Sequence, residues 1–212
     1  DSIKNVMPFY LNALEKASKS NNYELPNSLL KGLNEYQKKY GAAVMLSESK
    51  ISSEITYNKY DIFKRLYYMY MLAGVLMLAF CIVQIFKDSK VIRTIINVFH
   101  GLIGLFFILH LVGLIVRWYI SGHAPWSDAY ESMIYVAWAT MFFGLAFGKD
   151  SKLTVASTAF VTAMILMIAH WNWMDPSIGN LQPVLNSYWL MIHVAVIVAS
   201  YGPFTLAMVL GL

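Results

Sequence analysis

Leu66-Tyr67-Tyr68-Met69-Tyr70-Met71-Leu72-Ala73-Gly74-Val75-Leu76-Met77-Leu78-Ala79-Phe80-Cys81-Ile82-Val83-Gln84-Ile85-Phe86 runs without a Lys, Arg, Asp or Glu, between Lys64-Arg65 and Lys87-Asp88. About 20 mostly apolar residues suffice for a helix to cross a bilayer. This stretch therefore predicts a membrane span, and four further segments repeat its character: Ile92–Tyr119, Ser132–Gly148, Leu153–Trp171 and Trp189–Leu212. The third is the shortest. Composition agrees: 58% of the 212 residues are hydrophobic and only 13% charged, against roughly 25% charged in soluble domains. The expected fold class is all-α integral membrane, with about five transmembrane helices.

The charge is gathered at one end of the chain. Residues 1–65 hold ten of the sixteen Lys and Arg, and the last sixty residues hold none. We therefore expect two parts: an extension over 1–63, soluble or interfacial, and a membrane domain over 64–212. Within the extension, Ile3–Ser18 and Leu25–Tyr40 read as amphipathic helices with a stop at Gly41, and Ile51–Tyr57 leans towards β. The formal charge of +4 comes from the extension and from short loops without an Arg-aromatic stripe, which argues against nucleic acid as a partner. The single cysteine, Cys81, allows no intrachain disulfide and reads as a small buried apolar side chain. A chain that starts at Asp1 and stops within an apolar run is expected to be part of a longer protein.

Short-loop charge sets orientation, because Lys and Arg near membrane ends stay cytoplasmic. Lys87, Lys90 and Arg93 mark the first loop, and Lys149 and Lys152 the third. The second loop has Arg117 against Asp128 and Glu131, and the fourth has Asp175. The second and fourth loops, 120–131 and 172–188, are thus expected outside the cytoplasm with the N-terminal extension.

The fourth loop and its flanks join Trp171, Trp173, Tyr188 and Trp189 with His170 and His193 and almost no charge. Aromatic residues favour the headgroup level at any helix end. Here Asp175-Pro176 and Gly179-Asn180 also predict turns that hold an aromatic loop suited to a flat apolar ligand. His193 follows Trp189 by four residues, so both share one helix face near the outer boundary. An imidazole there either packs or ligates iron. In the second loop, Ser127 or Asp128 can cap the next helix with Glu131 in its first turn. His123 and Arg117 are expected to stay exposed at the outer face, where Arg117 could pair with a carboxylate such as a haem propionate. Asn97, His100, Gly101 and Gly104 form a small and polar stripe of the kind that lets membrane helices approach closely. His100 and His110 lie on different faces and form no single site.

Two blocks carry a family resemblance. Arg117-Trp118-Tyr119-Ile120-Ser121-Gly122-His123-Ala124-Pro125-Trp126-Ser127-Asp128-Ala129-Tyr130-Glu131-Ser132 is similar to the segment RWxxSGHxPxSNxYES of CcsA-type cytochrome c assembly proteins, with Asp128 in place of the usual Asn. The stretch from Asp175-Pro176-Ser177 to Tyr188-Trp189-Leu190-Met191-Ile192-His193-Val194 resembles the family's NPSxxPLVPxLxSxWLxxHV, with Gln182 departing from it. The span from Lys50 to Leu66 looks like the junction that leads into the CcsA half of fused CcsB-CcsA proteins of system II.

The resemblance implies a bacterial inner-membrane protein that binds and exports haem b as its transported substrate. It implies His193 as an outward axial ligand to the iron. Trp189, Tyr188, Trp171, Trp173, His123 and Arg117 are the further candidates around it. The partners it implies are haem, apocytochrome c, the remaining CcsB and CcsA parts (fused or separate) and the lipid bilayer. It implies a holocytochrome c synthase of the haem lyase type in the full-length protein, with this fragment inactive alone. The family's Trp-rich segment WGxxWxWDPxE has no match in this chain, and its other haem ligands would lie outside it. Two readings of other classes compete: a transporter or channel component without haem, and a cytochrome b-like electron carrier. The latter needs His paired across the bilayer, which His100, His110 and His193 do not offer.

Overall fold

The computed structural model describes residues 5–42, 45–148, 150–171, 174–178 and 187–211, the side chains of 209 and 210 excepted. The described residues form eight helices: α1 Val6–Ser20, α2 Glu24–Tyr40, α3 Glu48–Tyr60, α4 Ile62–Phe86, α5 Lys90–Ser121, α6 Ala129–Phe147, α7 Lys152–Ala169 and α8 Tyr188–Gly211. The chain is an all-α integral membrane protein. The stretches Glu48–Phe86, Lys90–Ser121, Lys152–Ala169 and Tyr188–Met208 are long and apolar enough to cross a membrane. Helix α6 covers the expected third span but falls outside that group, because Tyr130, Glu131, Ser132 and Thr140 lower its hydropathy.

Two compact units divide the chain, Asp1–Glu48 and Ser49–Leu212. In the first, α1 and α2 pack as a helical pair that buries Ala13, Ala17 and Pro26. Asn21 ends α1 in the left-handed region at φ 54°, a position that Asn tolerates better than most residues. Gly41 ends α2 and donates its N–H to Gln37 O, as expected from its place in the sequence.

The second unit holds the bundle. Helix α4 packs chiefly on α7 and α5, α6 on α7 and α8, and α5 more lightly on α6. Close approach has identifiable causes at two crossings. A Cβ at Gly74 would lie 2.8 Å from Phe160 N, and one at Gly202 would lie 2.9 Å from Thr140 N. Glycine lets α4 meet α7, and α8 meet α6, backbone to backbone. Phe63, Leu66, Tyr70, Met77, Ile103, Ile134, Met141 and Leu166 fill the core between them. Cys81 is buried and free, as expected.

Two expectations are corrected. Ile51–Tyr57 is helical, not β: it lies within α3, with Glu48 in the first turn and Lys59 in the last, both favourable to the helix dipole. β propensity yields readily to tertiary context, and Tyr57 sets its ring edge-on to Phe63 of α4. Nor does the stripe in α5 serve close packing within the described residues. A Cβ at Gly101 or Gly104 would meet nothing within 4 Å.

Candidate functional site

Local sequence brings the ends of the helices together. Asp128 caps α6 by accepting the Glu131 N–H at 2.6 Å, and Ser151 caps α7 by accepting from Thr154 N at 3.3 Å. Gly122 ends α5 at φ 76° with its N–H on Trp118 O; a side chain there would be strained. Asp175 accepts the Ser177 N–H at 2.9 Å, forming a tight turn after α7. That bond holds the Asp175 carboxyl below the ordinary carboxylate range.

Arg117 sits where these ends converge, fully buried. Its Nε donates to Glu131 Oε1 at 2.9 Å, and Glu131 is itself buried. One terminal nitrogen donates to Pro176 O at 2.9 Å and to Tyr57 Oη at 3.5 Å; the other donates to Ser177 O at 3.2 Å and lies 3.8 Å from Asp128 Oδ2. The guanidinium also stands 5.1 Å over the Tyr130 ring. Glu131 Oε2 in turn accepts the Ser127 N–H at 3.0 Å. One side chain therefore joins α3, α5, α6 and the turn after α7. A buried charge persists only when paired and hydrogen-bonded in this way.

The expected exposure of Arg117 is thereby corrected, since the guanidinium is buried and makes four hydrogen bonds to protein acceptors. His123 is tied in as well: Nδ1 lies 3.2 Å from Ala124 O and 3.7 Å from Glu131 Oε2. His170, which ends α7, places Nδ1 2.9 Å from Leu166 O and Nε2 3.7 Å from Asp61 Oδ1, with its ring edge-on to Tyr130.

His193 stands apart from this knot. It is exposed on α8, and its imidazole makes no hydrogen bond among the described residues. Trp189, one turn earlier, is 77% exposed, and Tyr188 is also exposed. Trp171 is exposed at the end of α7. Trp173 and the turn at Gly179-Asn180 lie outside the described residues. The adjacent face of α8 (Tyr188, Met191, Ile192, Ala195) borders a groove of about 570 Å³ shared with Trp118, Trp126 and Tyr135. His110 is buried in the bundle with Nε2 3.0 Å from Ile134 O. His100 is separate from it, so the two form no common site.

Sequence reasoning missed Tyr57, the contacts of His170 with Asp61 and Tyr130, the pairing role of Glu131 and the carbonyls of Pro176 and Ser177. One signal was present: Arg117 was the single cation of its loop, opposite Asp128 and Glu131. Among the described residues, no group of three or more His, Cys, Asp or Glu could hold a metal ion.

The fold and site define a multi-pass helical membrane protein, with loops fastened together at one end of the bundle and an uncovered His-Trp helix face. Residues 126–212 match the model of the cytochrome c assembly protein family. The chain is 40% identical over 176 residues to protein NrfI of Wolinella succinogenes, covering 83% of this chain and 20% of that protein. It is 32% identical over 109 residues to the cytochrome c biogenesis protein CcsA of Prochlorococcus marinus (50% of this chain, 34% of that protein), and 34% identical over 114 residues to CcsA of Glycine max (48% and 33%). The chain thus spans about a fifth of NrfI and about a third of these CcsA proteins. Over these residues the chain is similar to the CcsA-type cytochrome c assembly proteins.

Proposed function

We propose that this chain acts in cytochrome c biogenesis and carries part of the site that holds haem on the outer side of the bacterial inner membrane. The observation that carries the reading is His193: an exposed imidazole on α8, free of hydrogen bonds among the described residues, with Trp189 one turn earlier on the same face. Such an imidazole is available to iron without breaking a protein contact. Exposed aromatic rings beside it suit a flat apolar macrocycle. Haem b is cargo in this reading, and Trp189, Tyr188 and Trp171 are its aromatic neighbours. Arg117 is a poor partner for a propionate, because a carboxylate would have to displace acceptors already within 2.9 to 3.2 Å.

The full-length protein would attach haem to apocytochrome c by adding each thiol of a CxxCH motif across a haem vinyl double bond. Residues 1–63 and the loops 120–131 and 172–188 would face outward, and residues 64–212 would form the membrane domain. The remaining CcsB and CcsA parts would supply the other ligands. The test is the reduced-minus-oxidised spectrum of the full-length protein from a haem-sufficient host. His193→Ala should lose the haem signal and added imidazole should restore it. An unchanged spectrum in His193→Ala would refute the assignment, and a wild type without haem would refute the haem-holding reading itself.

A further inference from the structure

The outer end of α8 has little packing of its own. Tyr188, Trp189, Leu190, Ile192 and His193 are exposed, and the close contact of α8 with α6 at Gly202 lies more than two turns further along. One loop borders that end, and a fixed turn precedes it in the chain. The turn is 174–178, and its carbonyls at Pro176 and Ser177 accept from Arg117. The loop carries Trp126, which borders the groove with Tyr188, Met191 and Ile192; so does Trp118, the neighbour of Arg117. That loop is closed by Glu131, which accepts from both Arg117 and Ser127.

We propose that Arg117 is a positioning residue: clamped by Glu131, it fixes the loop that borders the outer end of α8 and the turn that precedes α8 in the chain, and so sets where His193 stands. The proposal rests on His193 as a haem ligand. Only the planar fork of Arg can serve Glu131 and two main-chain carbonyls at once; Lys keeps the charge and loses that geometry.

The full-length protein with Cys81→Ala, Ala129→Cys and Ser187→Cys carries nitroxide labels at two exposed positions, and their distance distribution reports α8 against the second loop. Arg117→Lys should broaden that distribution and lower haem per protein by about threefold or more. Imidazole should restore the haem, as it does for His193→Ala, because the defect is a misplaced ligand. Glu131→Gln, nearly the same shape, should give the same pattern more weakly and serves if Arg117→Lys fails to accumulate. An unchanged distribution in the variant that accumulates, or haem loss that imidazole does not restore, overturns the proposal. If His193→Ala keeps its haem, the ligand reading fails, and the distance distribution alone decides whether Arg117 positions α8.

Discussion

Replacing Glu131 by Ala should be among the most damaging single changes at the bundle end. The Glu131 carboxylate accepts from Arg117 Nε at 2.9 Å and from Ser127 N at 3.0 Å. Its loss forfeits a charge-assisted bond of about 1.5–3 kcal/mol and leaves a second donor unsatisfied at about 1–3 kcal/mol. Breaking a buried pair from one side costs about 3–5 kcal/mol as a whole. Asp128 Oδ2, already 3.8 Å from Arg117, can take up part of the charge, which places the expectation near the lower end, about 3 kcal/mol. Reversible unfolding in mixed micelles, followed by tryptophan fluorescence, measures it. The double variant Arg117→Met/Glu131→Leu should recover at least half of the loss, because no charge is then left buried alone. A Glu131→Ala protein within about 0.5 kcal/mol of wild type, or a double variant less stable than both singles, would refute the reasoning.

Tyr57→Phe removes only the long 3.5 Å bond to Arg117 and should cost no more than about 0.5 kcal/mol in the same assay. Gly202→Val should destabilise by about 1–3 kcal/mol through overpacking against Thr140, whereas Gly101→Ala, in open space, should be neutral or stabilising by up to about 1 kcal/mol. Because the Asp175 carboxyl is held below its ordinary range, the turn at Ser177 should keep its full contribution above that range and lose it as pH falls through the lowered value; slowed exchange of the Ser177 amide that persists below the Asp175 titration would contradict this. Cys81, buried in α4, should resist maleimide in the folded protein and react on unfolding.

The spans were legible because twenty apolar residues in a row have few alternatives in water or lipid. Helix ends were legible too: Gly41, Gly122 and Asp128 act as stops and caps where their chemistry predicts. The strand tendency at Ile51–Tyr57 misled, since propensity is weak against the packing of Tyr57 on Phe63. The stripe in α5 misled for another reason: Gly101 and Gly104 show that close approach is possible, not what would approach. Least legible was the knot at Arg117. Two of its acceptors are main-chain carbonyls, at Pro176 and Ser177, and a carbonyl has no letter in the sequence.

Asp128 shows what the knot adds to an ordinary cap. As the N-cap of α6 it needs only one side-chain oxygen, and Oδ1 supplies it to Glu131 N; an Asn, usual at this place in the family pattern, would serve equally. The second oxygen faces Arg117 at 3.8 Å. Asp therefore adds a second negative charge beside the guanidinium, leaving one cation between two carboxylates. Arg117 faces both acids while its remaining donors reach the turn that leads towards α8. His193 lies beyond that turn on a face that no described residue hydrogen-bonds. Fixed charges thus gather where the loops must hold still, and the exposed imidazole of His193 stands on the helix those loops precede. A ligand that must accept and release cargo needs a rigid mount and an open face, and the two requirements fall here on different residues.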